Sequence, residues 1–295
     1  MTATIAPIDP ARPDFAGRVE GIDLAVPASP DDVARIEAGI NRYGVLVFRN
    51  QDITDDQQVA FTRQLGPLED PYFVPGDSVQ AGRVRAEIND VSNLDRNNAV
   101  IPRENRHRLY QLGNLLWHAD SSYKTVPAQF SLLAARAIPD RGGNTQFADM
   151  RAAWETLDAA TQALVRDAVC EHSRLYSRRE LGFEFSAEEE KKFAPVPHPL
   201  VRRHPATGRL SLYLSSHGGA LVGWPLPEGR ALLRELTEHA TRREHVYSHA
   251  WRPHDLVMWD NRVTMHRGLR YPADQARDLR RTTTKESGQE LPRDA

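Results

Sequence analysis

An α+β fold with a mostly β core is what this chain predicts, and three features point to it. Helical spacing is strong at the front and in two later stretches. β-like segments are scattered through the rest. These strands lie too far apart in sequence to be simple neighbours, and widely separated antiparallel strands suit a double-sheet jelly roll. No internal repeat, linker or low-complexity tract breaks the 295 residues, so a single domain over 1–295 is expected.

The elements follow in order. "DDVARIEAGINRYG" (31–44) places Val33, Ile36 and Ile40 on one side of a helix that Gly44 stops. "VLVFRN" then reads as a buried strand. In "TDDQQVAFTRQLG", Thr54 is a candidate N-cap, acids fill the first turn and Gly66 closes the helix. From 71 to 111 the chain is polar and irregular, as functional loops and disordered segments are. β-like segments are expected at 115–121 and 129–135, and a glycine turn leads into a short strand over 142–150. "MRAAWETLDAATQALVRDAVC" (150–170) reads as one long helix, with Cys170 a buried thiol at its end. A second polar stretch (177–199) contains "SAEEEKKF", read as a solvated helix face. A hairpin follows, turning at "PATGR", then the helix "EGRALLRELTEHATR". Finally "DLVMWD" turns tightly at Asp260-Asn261 into "RVTMHRG".

Composition excludes several function classes. The 38 basic and 40 acidic residues leave a net charge of −2 with no block of one sign, so nothing argues for nucleic acid or an anionic membrane as partner. One cysteine cannot form an internal disulfide, which fits a reducing compartment. The first residues lack a basic segment followed by an apolar run, and no stretch is apolar enough to span a bilayer. A cytoplasmic protein is expected. Association into a homo-oligomer is left open.

The chemistry is concentrated in "LWHADSSY" (116–123). In an extended segment His118 and Asp120 project to the same face. Chance alone supplies about one such pair in a chain of this composition, and a hydrogen-bonded core histidine fits the same letters. "MWDNRVTMHRG" adds His266 at the end of another strand. Two histidines and one carboxylate on one side of a metal leave positions open, the facial arrangement of non-heme Fe(II) oxygenases, whereas structural zinc sites are closed. "ARDLRRTTT" supplies Arg277 and Arg281, four residues apart and on one face of a strand. Two buried guanidinium groups require anions, and their planar forks suit carboxylates and sulfonates. A solvent-exposed edge strand fits the same spacing.

With these residues in place, the sequence resembles the Fe(II)/2-oxoglutarate-dependent dioxygenases of the taurine and 2,4-dichlorophenoxyacetate dioxygenase group. The resemblance runs roughly from Phe15 to Thr284. "GIDL", "VLVFRNQ", "FTRQLGPLE", "LWHADSSY", "GGNTQFADMRAAWETL", "HPLVRRHPATGR", "VMWDNRVTMHRG" and "RRTTT" carry it. The spacings agree too: His118 precedes Thr145 by 27 residues, and His266 precedes Arg277 by 11.

The resemblance implies a double-stranded β-helix, a distorted jelly roll, with flanking helices and long lid loops at 71–111 and 177–199. It implies that His118, Asp120 and His266 hold Fe(II), with 2-oxoglutarate and O2 as cosubstrates. Arg277 and the Thr145 hydroxyl would bind the distal carboxylate of 2-oxoglutarate. Arg281 would bind the acid group of a small anionic substrate, with Asn114 nearby on the His118/Asp120 face. "FADMRAAWETLDAA" and "HRGLRYPADQARDLRRTTT" are most similar to the phenoxyacetate branch, which implies an aryloxyalkanoate cleaved to a phenol and glyoxylate. In "LYLSSHGGALVGW", His217 matches a histidine of that branch, but Ala220 stands where a second histidine is expected. His217 is equally readable as a substrate contact or a hydrogen-bonded structural residue. An alkylsulfonate or sulfate-ester dioxygenase is the alternative within the class. A non-catalytic metal-binding jelly roll is the alternative outside it, although a mere metal binder needs no oxoglutarate anchor.

Overall fold

A computed structural model describes residues 2–70 and 79–287. In chain order its front half holds β1 (Thr4–Pro7), β2 (Gly17–Glu20), α1 (Pro30–Tyr43), β3 (Val45–Phe48), α2 (Asp55–Gln64), β4 (Asn89–Ser92), α3 (Arg106–Gln111), β5 (Ala128–Ala137) and β6 (Thr145–Asp149). The middle holds α4 (Met150–Glu155), α5 (Ala159–Val165), β7 (Val169–His172), α6 (Arg174–Arg179), α7 (Ala187–Lys192), β8 (Val196–Pro199), β9 (Val201–Arg203) and β10 (Leu210–Leu212). The last part holds β11 (Gly218–Leu221), α8 (Leu226–Ala240), β12 (Val246–His249), β13 (Leu256–Asp260), β14 (Thr264–Gly268) and β15 (Asp278–Lys285).

The result is a mixed α/β architecture with a sheet-rich core. A seven-stranded sheet runs β1-β2-β3-β13-β5-β15-β4, antiparallel except for the β2–β3 pair. Three smaller sheets accompany it: β12-β6-β14, β11-β7-β8 and β10-β9. The large sheet is buried on both faces, which is why "VLVF" and "LVMWD" read as unbroken apolar runs. Leu46, Phe48, Leu132 and Met258 pack outward against Ile36, Ile40 and Phe61 of α1 and α2. Val47, Leu133, Val257, Trp259 and Leu279 face inward against Phe147 and Tyr247 of the β12-β6-β14 sheet.

Helix signals in the front half are used as expected. Ser29 caps α1, and Gly44 ends it at φ 66°, where its N–H donates to Ile40 O. Thr54 and Gln57 form a reciprocal capping box at α2. The β9–β10 hairpin is present, and α7 is the exposed, capped helix expected of "SAEEEKKF".

Other expectations are corrected. The 150–170 helix is broken, because Thr156 bonds back to Ala152 O and the Asp158 carboxylate starts a new helix by accepting the Thr161 N–H. Cys170 therefore lies on β7, where burial pushes its thiol up to about 12. The polar stretch 71–111 contains β4 and α3, and residues 71–78 of it lie outside the described residues. The stretch 177–199 holds α7, β8 and the end of α6. Residues 115–121 are not a strand: Leu112–Leu115 form a 3-10 turn, and His118 makes a single bridge to His266. The turn at Asp260-Asn261 joins no hairpin. β13 pairs with β3 and β5, β14 pairs with β6, and the corner carries the chain from one sheet to another. Asp260 fixes that corner by accepting from the Arg262 backbone and guanidinium. Among the described residues, no helix is long and apolar enough to cross a membrane.

Candidate active site

The corner at 260–263 delivers His266 against His118. The two residues exchange backbone hydrogen bonds of 3.0 and 2.8 Å, and their rings stand 4.2 Å apart. Asp120 joins them: one oxygen lies 3.9 Å from His118 Nε2 and the other 3.8 Å from His266 Nε2. The ligand atoms of all three lie within 4.8 Å of one another, and all three side chains are buried.

The surroundings prepare these groups for a divalent metal. His118 Nδ1 lies 2.7 Å from Leu116 O, which commits that nitrogen as donor and leaves Nε2 free. Burial pushes both imidazoles below the ordinary histidine range, so they stay neutral, as ligands must. Burial alone would raise the Asp120 carboxyl. The Arg281 charge outweighs it first, with the two imidazoles and the Ser131 hydroxyl alongside, and the group is held at about 2. Ser131 Oγ donates to Asp120 Oδ2 at 2.7 Å, and the Asp120 N–H donates to Asn261 Oδ1 at 3.0 Å. Asn261 in turn donates to Ser131 and accepts from Trp259 Nε1. Sequence reasoning missed Ser131 and Asn261. The signal was an asparagine in a turn directly ahead of the His266 strand.

His118 and His266 open onto a cavity of about 560 Å³ that Thr145, Arg277, Arg281 and Asn114 also line. Arg277 is buried just before β15. Its Nη2 donates to Gly143 O at 3.2 Å, and its Nε has no hydrogen bond to a described residue. Among the described residues no carboxylate pairs with it, and burial pushes it down to about 10. It remains a cation at neutral pH, short of an anion. Gly143 sits at φ +69°, and a Cβ there would press within 3.4 Å of Arg277 Nε. Asn93 accepts the Arg277 N–H at 2.8 Å. Trp251 Nε1 donates to the Thr145 hydroxyl at 3.0 Å, leaving that hydroxyl's proton for a ligand. Asn93, Gly143 and Trp251 were not anticipated, since each touches Arg277 or Thr145 from a remote segment.

Arg281 lines the same cavity, but its Nη1 lies 2.5 Å from Asp120 Oδ1. Asn114 reaches the cavity from the 3-10 turn rather than by strand alternation. His217 is not among the residues lining it. It is buried behind His118, edge-to-face at 6.1 Å, with Nδ1 on Ser177 Oγ at 3.0 Å.

Two neutral imidazoles and a carboxylate at the inner end of a cavity, with an open side, form the donor set of a mononuclear non-heme metal oxygenase. The chain belongs to the taurine catabolism dioxygenase TauD, TfdA family, whose profile matches residues 4–283. It is 42% identical to the alpha-ketoglutarate-dependent 2,4-dichlorophenoxyacetate dioxygenase of Cupriavidus pinatubonensis, over 94% of this chain and 96% of that protein. It is 34% identical to the (S)-phenoxypropionate/alpha-ketoglutarate-dioxygenase of Sphingobium herbicidovorans, over 92% and 91%. The crystal structure of AAD-2 in complex with Mn(II) and N-oxalylglycine superposes with a TM-score of 0.91 at 47% identity, covering 98% of this chain and 100% of that one.

Proposed function

We propose that this protein is an Fe(II)- and 2-oxoglutarate-dependent dioxygenase that hydroxylates a small aryloxyalkanoate beside its ether oxygen. The observation that carries the reading is the cavity itself. One end holds His118 and His266, with Asp120 behind; another holds the cation of Arg277, which meets no carboxylate among the described residues. Bound Fe(II), 2-oxoglutarate and O2 supply the oxidation of a substrate C–H bond, coupled to conversion of the cosubstrate to succinate and CO2.

The chain's own residues bind and orient. His118, Asp120 and His266 hold the metal. Arg277 and the Thr145 hydroxyl take the distal carboxylate of 2-oxoglutarate, which satisfies the buried guanidinium. Arg281 holds the substrate acid and steadies Asp120, and Asn114 borders the substrate space. Leu109, Leu112 and Leu115 give that space an apolar wall suited to an aryl ring. A hydroxyl added next to an ether oxygen gives a hemiacetal, which separates into a phenol and a 2-oxo acid, glyoxylate where the substrate is an aryloxyacetate. His217, hydrogen-bonded behind His118, acts as a structural support.

The sheets fit a double-stranded β-helix, with the large sheet packed against β12-β6-β14 and the stretch 79–111 covering the cavity through Asn93, Arg103, Arg108 and Leu109. The chain works as a single domain, in the cytoplasm, where its lone buried thiol stays reduced. The test is substrate-stimulated O2 uptake and succinate formation with Fe(II) and 2-oxoglutarate, across aryloxyalkanoates, alkylsulfonates and sulfate esters. Phenol release from phenoxyacetate supports the reading. Turnover of sulfonates or sulfate esters alone overturns the substrate class, and absence of succinate with every compound overturns the reaction.

A further inference from the structure

A second cavity lies back to back with the catalytic one. It measures about 930 Å³ against about 560 Å³, and Leu115 is the only residue common to the two linings. Side-chain alternation creates the pair. On β14, His266 faces the catalytic cavity and Arg267 the other; before the bridge, His118 faces the first and Trp117 the second. The remaining walls come from α8, the end of α6 and the glycines of β11.

Its chemistry differs from that of a gap between packed elements. The apolar floor consists of Trp117, Leu214 and Leu233. Four arginines line it (Arg179, Arg230, Arg234 and Arg267) against two acids, Glu180 and Glu238, a surplus of two positive charges. Arg179 is engaged, its Nη2 lying 2.5 Å from Glu190. Among the described residues no carboxylate lies within ion-pair distance of the other three. The Arg267 guanidinium lies over the Trp117 ring at 4.6 Å, and its Nε donates to Gln146 Oε1 at 2.9 Å. Neither of its Nη groups donates to a described residue. A guanidinium fixed by stacking and by one hydrogen bond, with its remaining donors free, is pre-organised for an oxyanion.

We propose that this cavity is a binding site for an amphipathic organic anion, a carboxylate or sulfonate with an aromatic or branched apolar body, distinct from the catalytic pocket. The anionic group pairs with Arg267 and the two arginines of α8. The apolar body lies against Leu214 and Leu233. The wall between the sites includes Leu116, whose carbonyl fixes the His118 imidazole, so the second ligand rests on the support of a metal ligand.

The test is calorimetric titration of the full chain with 8-anilinonaphthalene-1-sulfonate, with Mn(II) and N-oxalylglycine in the metal and cosubstrate positions. The substrate position beside Arg281 stays open, so the binding that counts is the binding that the α8 variants weaken. One equivalent is expected to bind. The double variant Arg230→Glu/Arg234→Glu is expected to weaken it by about tenfold or more, as loss of charge-assisted contacts does. Ala231→Trp, which intrudes into the cavity, is expected to weaken it comparably by shape alone. Unchanged Mn(II) affinity in each variant shows that the fold and the first site are intact. The uncharged analogue 1-anilinonaphthalene is expected to bind at least about tenfold more weakly than the sulfonate. Absence of saturable binding to the Mn(II)/N-oxalylglycine complex, or an affinity indifferent to both variants, overturns the proposal.

Discussion

His118 and His266 face each other across a single antiparallel bridge, each backbone N–H donating to the other's carbonyl. Two metal-competent side chains 148 positions apart are thus locked at the backbone, before any metal acts on them. The first prediction follows. His118→Ala, Asp120→Ala and His266→Ala are each expected to lose most Mn(II) or Fe(II) binding and nearly all turnover, with the fold retained. Each removes one of three protein ligands, and the backbone bridge does not depend on the side chain. Titration with Mn(II) reads it directly; near-wild-type affinity in any one variant would remove that residue from the ligand set.

Asp120 is itself held in place, by Ser131 on one oxygen and by Asn261 on its backbone. Asn261→Ala breaks both the link to the Asp120 N–H and the support of Ser131. Groups that orient metal ligands are commonly worth about 10- to 100-fold in affinity. Asn261→Ala is expected to lose metal affinity in that range, with Ser131→Ala losing less. An Asn261→Ala protein that binds Mn(II) normally would show that the carboxylate orients itself.

What was legible in the sequence and what was not have physical reasons. The His118/Asp120 pair and the helix caps at Thr54 and Gly44 are local patterns that the sequence shows directly, whereas His266 and Arg277 lie far along the chain and receive their roles only through the family resemblance. The break at Thr156–Asp158 was hidden because apolar spacing continues through it, and side-chain competition for the backbone decided the matter. The 3-10 turn before His118 was hidden for a different reason. Gly113 packs against the Arg178 guanidinium, where a Cβ would come within 1.9 Å of Nη1, and that contact comes from a helix some sixty-five residues away. The crossing from β13 to β14 read as a hairpin because turn residues show where a chain reverses, not which sheet receives it. The support around Asp120 and Arg277 is made of tertiary hydrogen bonds, which leave no periodic trace.

Arg277 gives a prediction in which function and stability diverge. It is a buried cation without a carboxylate partner among the described residues, so the free protein pays for it. Arg277→Met is expected to raise the KM for 2-oxoglutarate by about 10- to 100-fold, the worth of a charge-assisted bond. It is expected to leave Tm unchanged or raised in the absence of cosubstrate. The KM for the primary substrate should move much less. Unaltered 2-oxoglutarate affinity would place the anchor elsewhere.

Buried neutral histidines set the response to acid. His172 is fully buried, neither ring nitrogen has a hydrogen-bond partner among the described residues, and burial pushes its pKa down to about 3. The unfolded chain binds a proton near pH 6.5 while the folded chain does not, so stability is complete above pH 6.5 and is lost as pH falls toward 3. At pH 5 this one residue is expected to cost about 2 kcal/mol. His172→Phe keeps a ring against His198 and Tyr213 and removes the titration. Its denaturation midpoint is expected to fall less between pH 7 and pH 5 than that of the wild type. Parallel curves would show that His172 finds a proton acceptor in the folded state.

Arg281 is the residue on which the substrate assignment turns. Its guanidinium reaches Asp120 and also borders the cavity, so it can hold a ligand carboxylate and a metal ligand from one fork. A charge-assisted hydrogen bond to a desolvated anion is worth about 1.5–3 kcal/mol. Arg281→Ala is therefore expected to lower kcat/KM for phenoxyacetate by about 10- to 100-fold or more. Lysine is expected to rescue only in part, because a point charge cannot span two acceptors. The two roles separate by readout. Loss of the substrate contact lowers kcat/KM while Mn(II) affinity and substrate-free turnover of 2-oxoglutarate persist. Loss of the Asp120 contact lowers Mn(II) affinity as well. The wild type is expected to release phenol from phenoxyacetate and none from the corresponding neutral ether, which offers Arg281 no charge. Equal turnover of acid and neutral ether would show that Arg281 serves Asp120 alone and that substrate selection lies with the apolar wall of Leu109, Leu112 and Leu115.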